Sequence, residues 1–113
     1  MHELSIVMSI IDIAKQQADQ ACAAVIDEIE LDIGTMSGIE MDSFEFAWKQ
    51  AVKGSVLKKA VRKINTIEAK ARCLDCDAVF SIHHYFDPCP VCGEHLLDIL
   101  SGKELKVKSL VVS

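Results

Sequence analysis

Residues 73–93 read CLDCDAVFSIHHYFDPCPVCG, and this stretch decides how the second half of the chain folds. Two Cys-x-x-Cys pairs, Cys73 with Cys76 and Cys89 with Cys92, are separated by 12 residues. Each pair can turn back on itself so that both of its sulfurs face one ion. Two such turns make a tetrahedral four-thiolate site that is closed and structural in type. The stretch therefore predicts a small module organised around a metal ion.

The ligand chemistry limits which metal this module holds. Four thiolates suit zinc or a single iron, and Cys-Pro-x-Cys-Gly turns also occur in rubredoxin-like electron carriers. A simple carrier would not need the helices and strands expected outside the module, so we favour structural zinc over iron. Two disulfides are the other alternative, which the reducing cytosol expected for this chain disfavours. The zinc would contribute folding energy, because so small a module buries little apolar surface.

Other residues near the cysteines, and the fifth cysteine, have simple structural interpretations. Three histidines are potential rim ligands or pH-sensitive groups, although exposed loop positions explain them as well: His83, His84 and His95. Tyr85 and Phe86 are predicted to pack the small core of the module. Gly93 is predicted to relieve crowding where backbone N–H groups turn toward thiolate sulfur. Cys22 is predicted to be a small apolar residue of the core.

The first half of the chain shows helical and strand periodicities. From Leu4 to about Gln20, apolar residues recur at the spacing of one buried helical face. That face comprises Leu4, Val7, Met8, Ile11, Ala14 and Ala18, and is widened by Ile6, Ile10 and Ile13. Residues 28–33 alternate strictly between acidic and apolar types, which predicts a half-exposed strand that ends at Gly34.

A second helix is predicted to begin at a capping box and to run to about Lys53. In the sequence Ser37-Gly38-Ile39-Glu40, Ser37 would cap the backbone N–H of Glu40, whose side chain would reach back. The inward residues of this helix are predicted to be Met41, Phe44, Ala47, Trp48, Ala51 and Val52. Gly54 is placed to stop the helix.

Two further strands are predicted, one from Val61 to Ala71 and one from Leu105 to Val112. We therefore predict an α+β fold, in which a small three-stranded sheet carries two helices. A zinc-ribbon-like module would be inserted before the last strand. Residues 1–70 and 104–113 would form the α/β domain, and residues 71–103 the four-cysteine module.

Composition and charge disfavour several classes of function. Half of the 113 residues are hydrophobic, which is enough for one core, and the net charge of −5 repels phosphate backbones. A basic cluster comprises Lys58, Lys59, Arg62 and Lys63. It would suit a nucleic-acid module, but a solvated face or a contact with an acidic partner explains it equally well. No apolar stretch approaches the roughly 20 residues that span a bilayer. The first residues do not resemble an export signal, so we expect a cytoplasmic protein. A hydrolytic zinc enzyme is disfavoured, because four thiolates leave no open position for water.

The chain opens MHELSIVMSI, and a histidine at position 2 has unusual chelating geometry. The imidazole of His2, its backbone nitrogen and the terminal amine of Met1 can close fused five- and six-membered rings around one ion. Such an all-nitrogen set suits Ni(II) or Cu(II) in square-planar geometry. Glu3 would lie next to this site and could orient the ligand or offset charge. On these residues alone, an ordinary frayed terminus is the simpler explanation of His2.

Several motifs in a fixed order give the chain a clear resemblance. They are MHELS at the start, an acidic alternating strand ending in Gly, a Ser-x-x-Glu helix start, CxxC…CPxCG, and GKEL-x-V near the end. Together they resemble the HypA/HybF family of hydrogenase nickel-insertion proteins over essentially the whole chain. In some members of that family histidines flank the cysteine pairs, whereas here Asp77 and Gly93 stand in those places. A plain four-cysteine zinc site is therefore expected.

The resemblance implies a metallochaperone and not an enzyme. It implies weak nickel binding through His2, with Glu3 as a neighbouring determinant, and a structural zinc held by Cys73, Cys76, Cys89 and Cys92. It also implies a GTPase partner, which helps to load nickel into the large subunit of NiFe-hydrogenase. In some organisms such proteins also serve urease maturation. Neither nucleic acid nor a membrane is an expected partner.

Overall fold

The computed structural model of the protein describes residues 3–113, so Met1 and His2 lie outside the described residues. The elements are α1 Glu3–Gln20, β1 Ile26–Gly34, α2 Met41–Ala51, a 3-10 turn Val52–Gly54, β2 Val61–Ile67, β3 Lys70–Cys73, β4 Val79–Ser81, β5 Leu97–Ser101 and β6 Leu105–Val112. This order confirms the predicted α+β fold with two helices, and it adds strands inside the cysteine module.

The first helix forms as predicted, but its buried face is narrower than expected. The buried residues recur at three- and four-residue spacing, as a single apolar stripe requires, and are Val7, Ile10, Ile11, Ala14 and Ala18. The prediction was wrong for three residues at the margins of the stripe, which are about half exposed: Leu4, Met8 and Ile13.

The second helix begins at a cap that differs from the predicted one. It starts at Met41, and its N-cap is Glu40 instead of Ser37. The Glu40 carboxylate accepts hydrogen bonds from the N–H groups of Asp42 and Ser43, at 3.2 and 2.6 Å. Those two donors have no partner inside the helix, so a side-chain acceptor at the cap satisfies them. The capping-box prediction is therefore wrong.

The inward face of α2 is also smaller than predicted. Its fully inward residues are Phe44, Ala47 and Trp48. Ala51 and Val52 are only partly buried, and Met41 is exposed, because it sits in the first turn of the helix. The 3-10 turn that follows ends at Gly54, where the sequence predicted a stop.

The strands form two three-stranded sheets. The first has the order β2-β1-β6, and the second has the order β4-β3-β5 with antiparallel pairing. The predicted strand from Val61 to Ala71 was wrong in extent, because it divides into β2 and β3, which belong to different sheets. The division lies at Ala69, which is fully buried. Its N–H donates to Thr35 Oγ1 at 3.2 Å, and its carbonyl accepts from the N–H of Ile82 at 3.0 Å.

The chain packs as two compact units. Among the described residues, the first comprises 3–31, Ile39–Ile64 and Val107–Ser113, and the second comprises Asp32–Gly38 and Asn65–Lys106. The core of the second unit is formed by Met36, Ala69, Ala71 and Ile82, with Phe80, Leu97 and Ile99 packed against them. The domain boundaries proposed from the sequence, at residues 71 and 103, stay a prediction. Within residues 3–113, no helix combines the length and apolar character needed to cross a membrane.

Candidate metal centre

Strand β3 and its neighbours position the four cysteines. Cys73 is the last residue of β3, the central strand of the second sheet, and it stands opposite Leu97 of β5. Its side chain is fully buried, and that of Cys89 is nearly so. Cys76 and Cys92, the second cysteine of each pair, are exposed. Each pair therefore has one buried and one exposed cysteine.

The two cysteine pairs adopt the same backbone turn. In the first, the N–H of Cys73 donates to Ala78 O and the N–H of Asp77 donates to Cys73 O, both at 2.9 Å. In the second, the N–H of Cys89 donates to Glu94 O and the N–H of Gly93 donates to Cys89 O, both at 2.8 Å. Both turns need a positive φ directly after the second cysteine, 62° at Asp77 and 78° at Gly93.

The four sulfurs converge on one point. All four Sγ atoms lie within 4.8 Å of one another, and this is the one cluster of potential metal ligands among residues 3–113. Cys73 Sγ lies 3.5 Å from Cys92 Sγ, and Cys76 Sγ lies 3.6 Å from Cys89 Sγ. A tetrahedral zinc site with Zn–S bonds of about 2.3 Å has sulfurs about 3.8 Å apart. The donor set therefore fits an ion held by four thiolates, and the structure brings the four cysteines of the predicted site together.

The surroundings of the thiols lower the pKa of Cys89 and raise that of Cys92. Backbone N–H groups of Cys92 and Val91 point at the Cys89 sulfur and lower the pKa of this thiol to about 7. At Cys92 the N–H of Glu94 favours the thiolate, but the adjacent Cys73 thiol and desolvation outweigh it and raise the pKa to about 12. A divalent cation must displace the remaining protons to bind four thiolates, so metal affinity falls as the pH falls.

The start of α1 contacts the start of α2 in the first unit. Glu3 Oε2 accepts a hydrogen bond from the backbone N–H of Glu40 at 3.3 Å, while the Glu40 carboxylate caps α2. Contacts from Ser43, through its side chain and its N–H, and then from the N–H of Asp42 lower the pKa of the Glu40 carboxyl. Residue 3 is thus tied to α2, whereas the predicted nickel ligand His2 lies outside the described residues.

Comparison with known proteins assigns the chain to a family. A family model described as hydrogenase/urease nickel incorporation, metallochaperone, hypA matches residues 1–112. The chain belongs to the HypA family. This confirms the resemblance drawn from the MHELS start and the cysteine module.

Individual relatives agree over their full lengths. The hydrogenase maturation factor HypA of Parabacteroides distasonis is 48% identical over 112 residues, which cover 99% of this chain and 97% of the relative. The HypA of Geotalea uraniireducens is 42% identical, with 99% of each chain covered. The solution structure of the Ni metallochaperone HypA from Helicobacter pylori superposes with a TM-score of 0.70 at 28% identity, covering 99% and 97% of the two chains.

Membership of the HypA family defines the class of activity. The family consists of metallochaperones for nickel incorporation into hydrogenase and urease, and a metallochaperone is not an enzyme. The predictions of a non-enzymatic role and of a place in hydrogenase maturation are confirmed at this level. The four-cysteine cluster also fits the predicted zinc binding by a HypA protein.

The histidines of the module do not join the four sulfurs. His83, His84 and His95 are exposed loop residues, as the simpler interpretation predicted. Asp87 Oδ2 accepts hydrogen bonds from the N–H groups of His83 and His84, at 2.8 and 3.1 Å, and these contacts lower the pKa of its carboxyl. His95 Nδ1 lies 3.2 Å from Phe86 O.

Three sequence predictions near and beyond the module were wrong. Tyr85 and Phe86 do not fill the core of the module, since they are 50% and 86% exposed. That core is supplied instead by residues that include Ala71 of β3 and Ile82, which directly follows β4. Cys22 is exposed with a φ of 54°, because it belongs to the turn that ends α1. The positive φ of Asp77 was also missed, although an Asp in a Cys-x-x-Cys-Asp turn is a usable signal for it.

Proposed function

We propose that this chain binds Ni(II) at its amino terminus and delivers it, together with a GTPase, to the large subunit of NiFe-hydrogenase. The observation that carries the proposal is the family match, which includes the first residues of the chain. We further propose structural zinc as the ion of the four cysteines, a cytoplasmic location, and service to urease maturation as a further role. Neither nucleic acid nor a membrane belongs to the proposed set of partners.

The proposed nickel site is built on His2. The imidazole, the backbone nitrogen of His2 and the amine of Met1 supply nitrogen donors, which suit Ni(II) in tetragonal geometry. Glu3 is proposed as a neighbouring determinant and not as the main ligand. Its carboxylate is held by the N–H of Glu40, which supports a role in fixing the position of the adjacent terminus.

The proposed zinc site is structural. Four thiolates close the coordination sphere and leave no position for water or substrate, so this ion stabilises the fold and performs no chemistry. Cys73 and Cys89 would hold it from the interior, and Cys76 and Cys92 from the exposed side.

Delivery requires a site that releases its ion. A terminal site exchanges its ligands one at a time, and nickel must compete with protons for the amine and the imidazole. Nickel binding should therefore weaken as the pH falls, because protonation removes nitrogen donors. Affinity at the four-thiolate site also falls with pH, but its four converging thiolates should retain their ion at a pH where the terminal site has released nickel.

The test measures the metal content and the nickel affinity of protein that has its native, untagged amino terminus. We expect one zinc per chain and Ni(II) binding in the wild type, with nickel lost and zinc kept in His2→Ala. His84→Ala is the matched control, because it removes an exposed histidine of the cysteine module and should change neither metal.

Two outcomes would overturn parts of the proposal. Unchanged nickel affinity in His2→Ala would remove the terminal site. Iron in the purified protein, with a reversible redox signal, would replace zinc and favour a rubredoxin-like electron carrier.

A further inference from the structure

The basic residues of this acidic protein are concentrated in one segment. Six of the 12 Lys and Arg residues lie between positions 49 and 63, and no Asp or Glu occurs from Phe46 to Ile67. The other six basic residues share the rest of the chain with all 17 acidic residues. The segment therefore carries a strong local positive charge on a protein whose net charge is −5.

One of these six cations has a structural role. Arg62 Nη2 lies 2.5 Å from Glu45 Oε1, and its guanidinium lies 5.0 Å from the centre of the Trp48 ring and 5.9 Å from that of Phe44. Arg62 thus joins β2 to α2 through an ion pair and cation–π contacts. Its charge is compensated by Glu45, so it is not available to a partner.

Five lysines of the segment are exposed and have no ion pair within residues 3–113: Lys49, Lys53, Lys58, Lys59 and Lys63. Lys63 belongs to β2, and we call the other four, which precede that strand, the basic surface. Lys49 lies one helical turn after Glu45, on the side of α2 that meets Arg62. Lys53 belongs to the 3-10 turn that follows α2. The surface runs from the end of α2 to the start of β2.

The turn that carries Lys58 and Lys59 is held in a fixed conformation. Ser55 Oγ donates to Val52 O at 2.9 Å and accepts from the N–H of Leu57 at 3.1 Å. The N–H of Lys58 donates to Ser55 O at 3.2 Å. Leu57 is 2% exposed and anchors the turn in the core. The two lysines are thus presented to solvent by a preorganised backbone, which lowers the entropic cost of binding.

We propose that the basic surface binds an acidic segment of a partner protein. Exposed like charges that repel one another and lack partners within their own molecule are suited to a complementary surface. A short peptide rich in Asp and Glu can contact the four lysines alone. A DNA or RNA duplex, or an anionic membrane, extends well beyond them and meets the acidic remainder of the chain, which repels it. The partner is therefore a compact anionic polypeptide.

The test uses a fluorescein-labelled 12-residue peptide of alternating Glu and Ser, with a Gln-for-Glu peptide as the uncharged control. Binding to the zinc-loaded, nickel-free protein is followed by fluorescence anisotropy at two salt concentrations. We expect binding of the acidic peptide that weakens with salt, amide chemical-shift changes centred on residues 53–59, and none with the Gln peptide.

The decisive comparison is between two charge-reversal variants with the same net charge. Lys58→Glu/Lys59→Glu should weaken peptide binding by at least about tenfold, because it places acids on the proposed surface. Lys70→Glu/Lys106→Glu reverses two exposed lysines of the second unit and should weaken it by less than about twofold. Ser55→Ala, which keeps every charge but removes the hydroxyl of the turn, should give an intermediate loss.

Three results would overturn the proposal. The first is equal weakening of peptide binding by the two charge reversals. The second is the absence of peptide binding at about 0.1 M salt, where charges are screened beyond about 10 Å. The third is tighter binding of a 20-base-pair DNA duplex or of anionic vesicles than of the peptide. The experiment needs neither nickel nor His2, so its result is separate from that of the nickel titration.

Discussion

Asp77 and Gly93 occupy equivalent positions in the two cysteine turns. Each follows the second cysteine of its pair, each donates its N–H to the carbonyl of the first cysteine, and each has a positive φ, 62° and 78°. Glycine adopts this conformation without strain, whereas an L-residue with a side chain does so at a cost that Asp tolerates better than most. The metal site therefore contains one relaxed turn and one mildly strained turn.

Gly93→Ala should destabilise the metal-loaded protein by about 1 kcal/mol, the usual cost of left-handed backbone for alanine. The methyl group itself would meet no atom within 4 Å, so backbone strain is the whole effect. Urea unfolding of the metal-loaded protein measures it. Gly54→Ala is the control, because it also has open space but no positive φ, and it should be neutral. Equal effects at the two glycines would contradict this account.

Glu40→Gln should destabilise α2 in a pH-dependent way. The carboxylate accepts from two N–H groups, one on each oxygen. Gln replaces one of these oxygens with an amide nitrogen, which cannot accept a hydrogen bond. Because the pKa of Glu40 is lowered in the folded state, its stabilising contribution is present above the unfolded pKa of about 4.3. The contribution is lost as the pH falls through the lower folded value.

Thermal unfolding followed by the fluorescence of Trp48, the single tryptophan, tests this dependence. The wild type should melt above Glu40→Gln at pH 7, and the difference should shrink as the pH falls through the lowered folded-state pKa of Glu40. Glu28→Gln makes the same change of charge on the exposed side of β1 and should leave the melting temperature at pH 7 nearly unchanged. A difference between wild type and Glu40→Gln that stayed constant as the pH was lowered would show that the cap acts without its charge.

Cys89→Ser should abolish metal binding by the module. One thiolate fewer opens the closed four-ligand site, so the metal content should fall from about one ion per chain to near zero. Hydrogen exchange should then accelerate in β3, β4 and β5, which surround the cysteines, because metal binding and folding of such a module are coupled. Metal analysis and exchange mass spectrometry measure both effects.

Cys22→Ser provides the matched control for this substitution. Cys22 is an exposed free thiol outside the four-sulfur cluster, so its replacement should change neither metal content nor exchange. Equal loss of metal from the two variants would show that the ion is not held by the cysteine module.

Features encoded by short local patterns of residues could be predicted from the sequence. The acidic alternation of residues 28–33 marked β1, and the spacing of the cysteines marked the four-sulfur site. Both signals are local, since side-chain direction in a strand and the reach of a Cys-x-x-Cys turn depend on adjacent residues. The fold class and the candidate metal ligands followed from them.

Features decided by distant contacts could not be predicted. Ser37 and Glu40 both suit a helix cap, and nothing local shows that the Glu40 N–H is used by Glu3, 37 residues away. The imperfectly alternating stretch from Val61 to Ala71 was predicted to be one strand. Its division depends on Thr35, which lies 34 residues earlier in the chain. Tertiary contacts override local propensity at such positions.

Gly34→Ala should be among the most damaging single substitutions in the second unit. A Cβ atom at this buried position would collide with the carbonyl carbon and oxygen of Gly102. Those are backbone atoms, held by the N–H of Met36, which donates to Gly102 O at 2.7 Å. Since no side chain can swing aside, the cost should reach about 3 kcal/mol, the upper end for overpacking. Urea unfolding followed by far-UV circular dichroism measures it.

A double substitution separates steric cost from backbone strain at the facing glycine. A Cβ atom on Gly102 would collide with the Cα and Cβ of Ala69, and Gly102 also has a φ of 105°. Ala69→Gly removes the Cβ atom, so it should recover part of the stability that Gly102→Ala loses. It should recover none of the stability that Gly34→Ala loses, because the obstacle there is the backbone of Gly102. Equal recovery in both would show that Ala69 acts through general loosening of the core, and no recovery in Gly102→Ala would assign its whole cost to the backbone conformation.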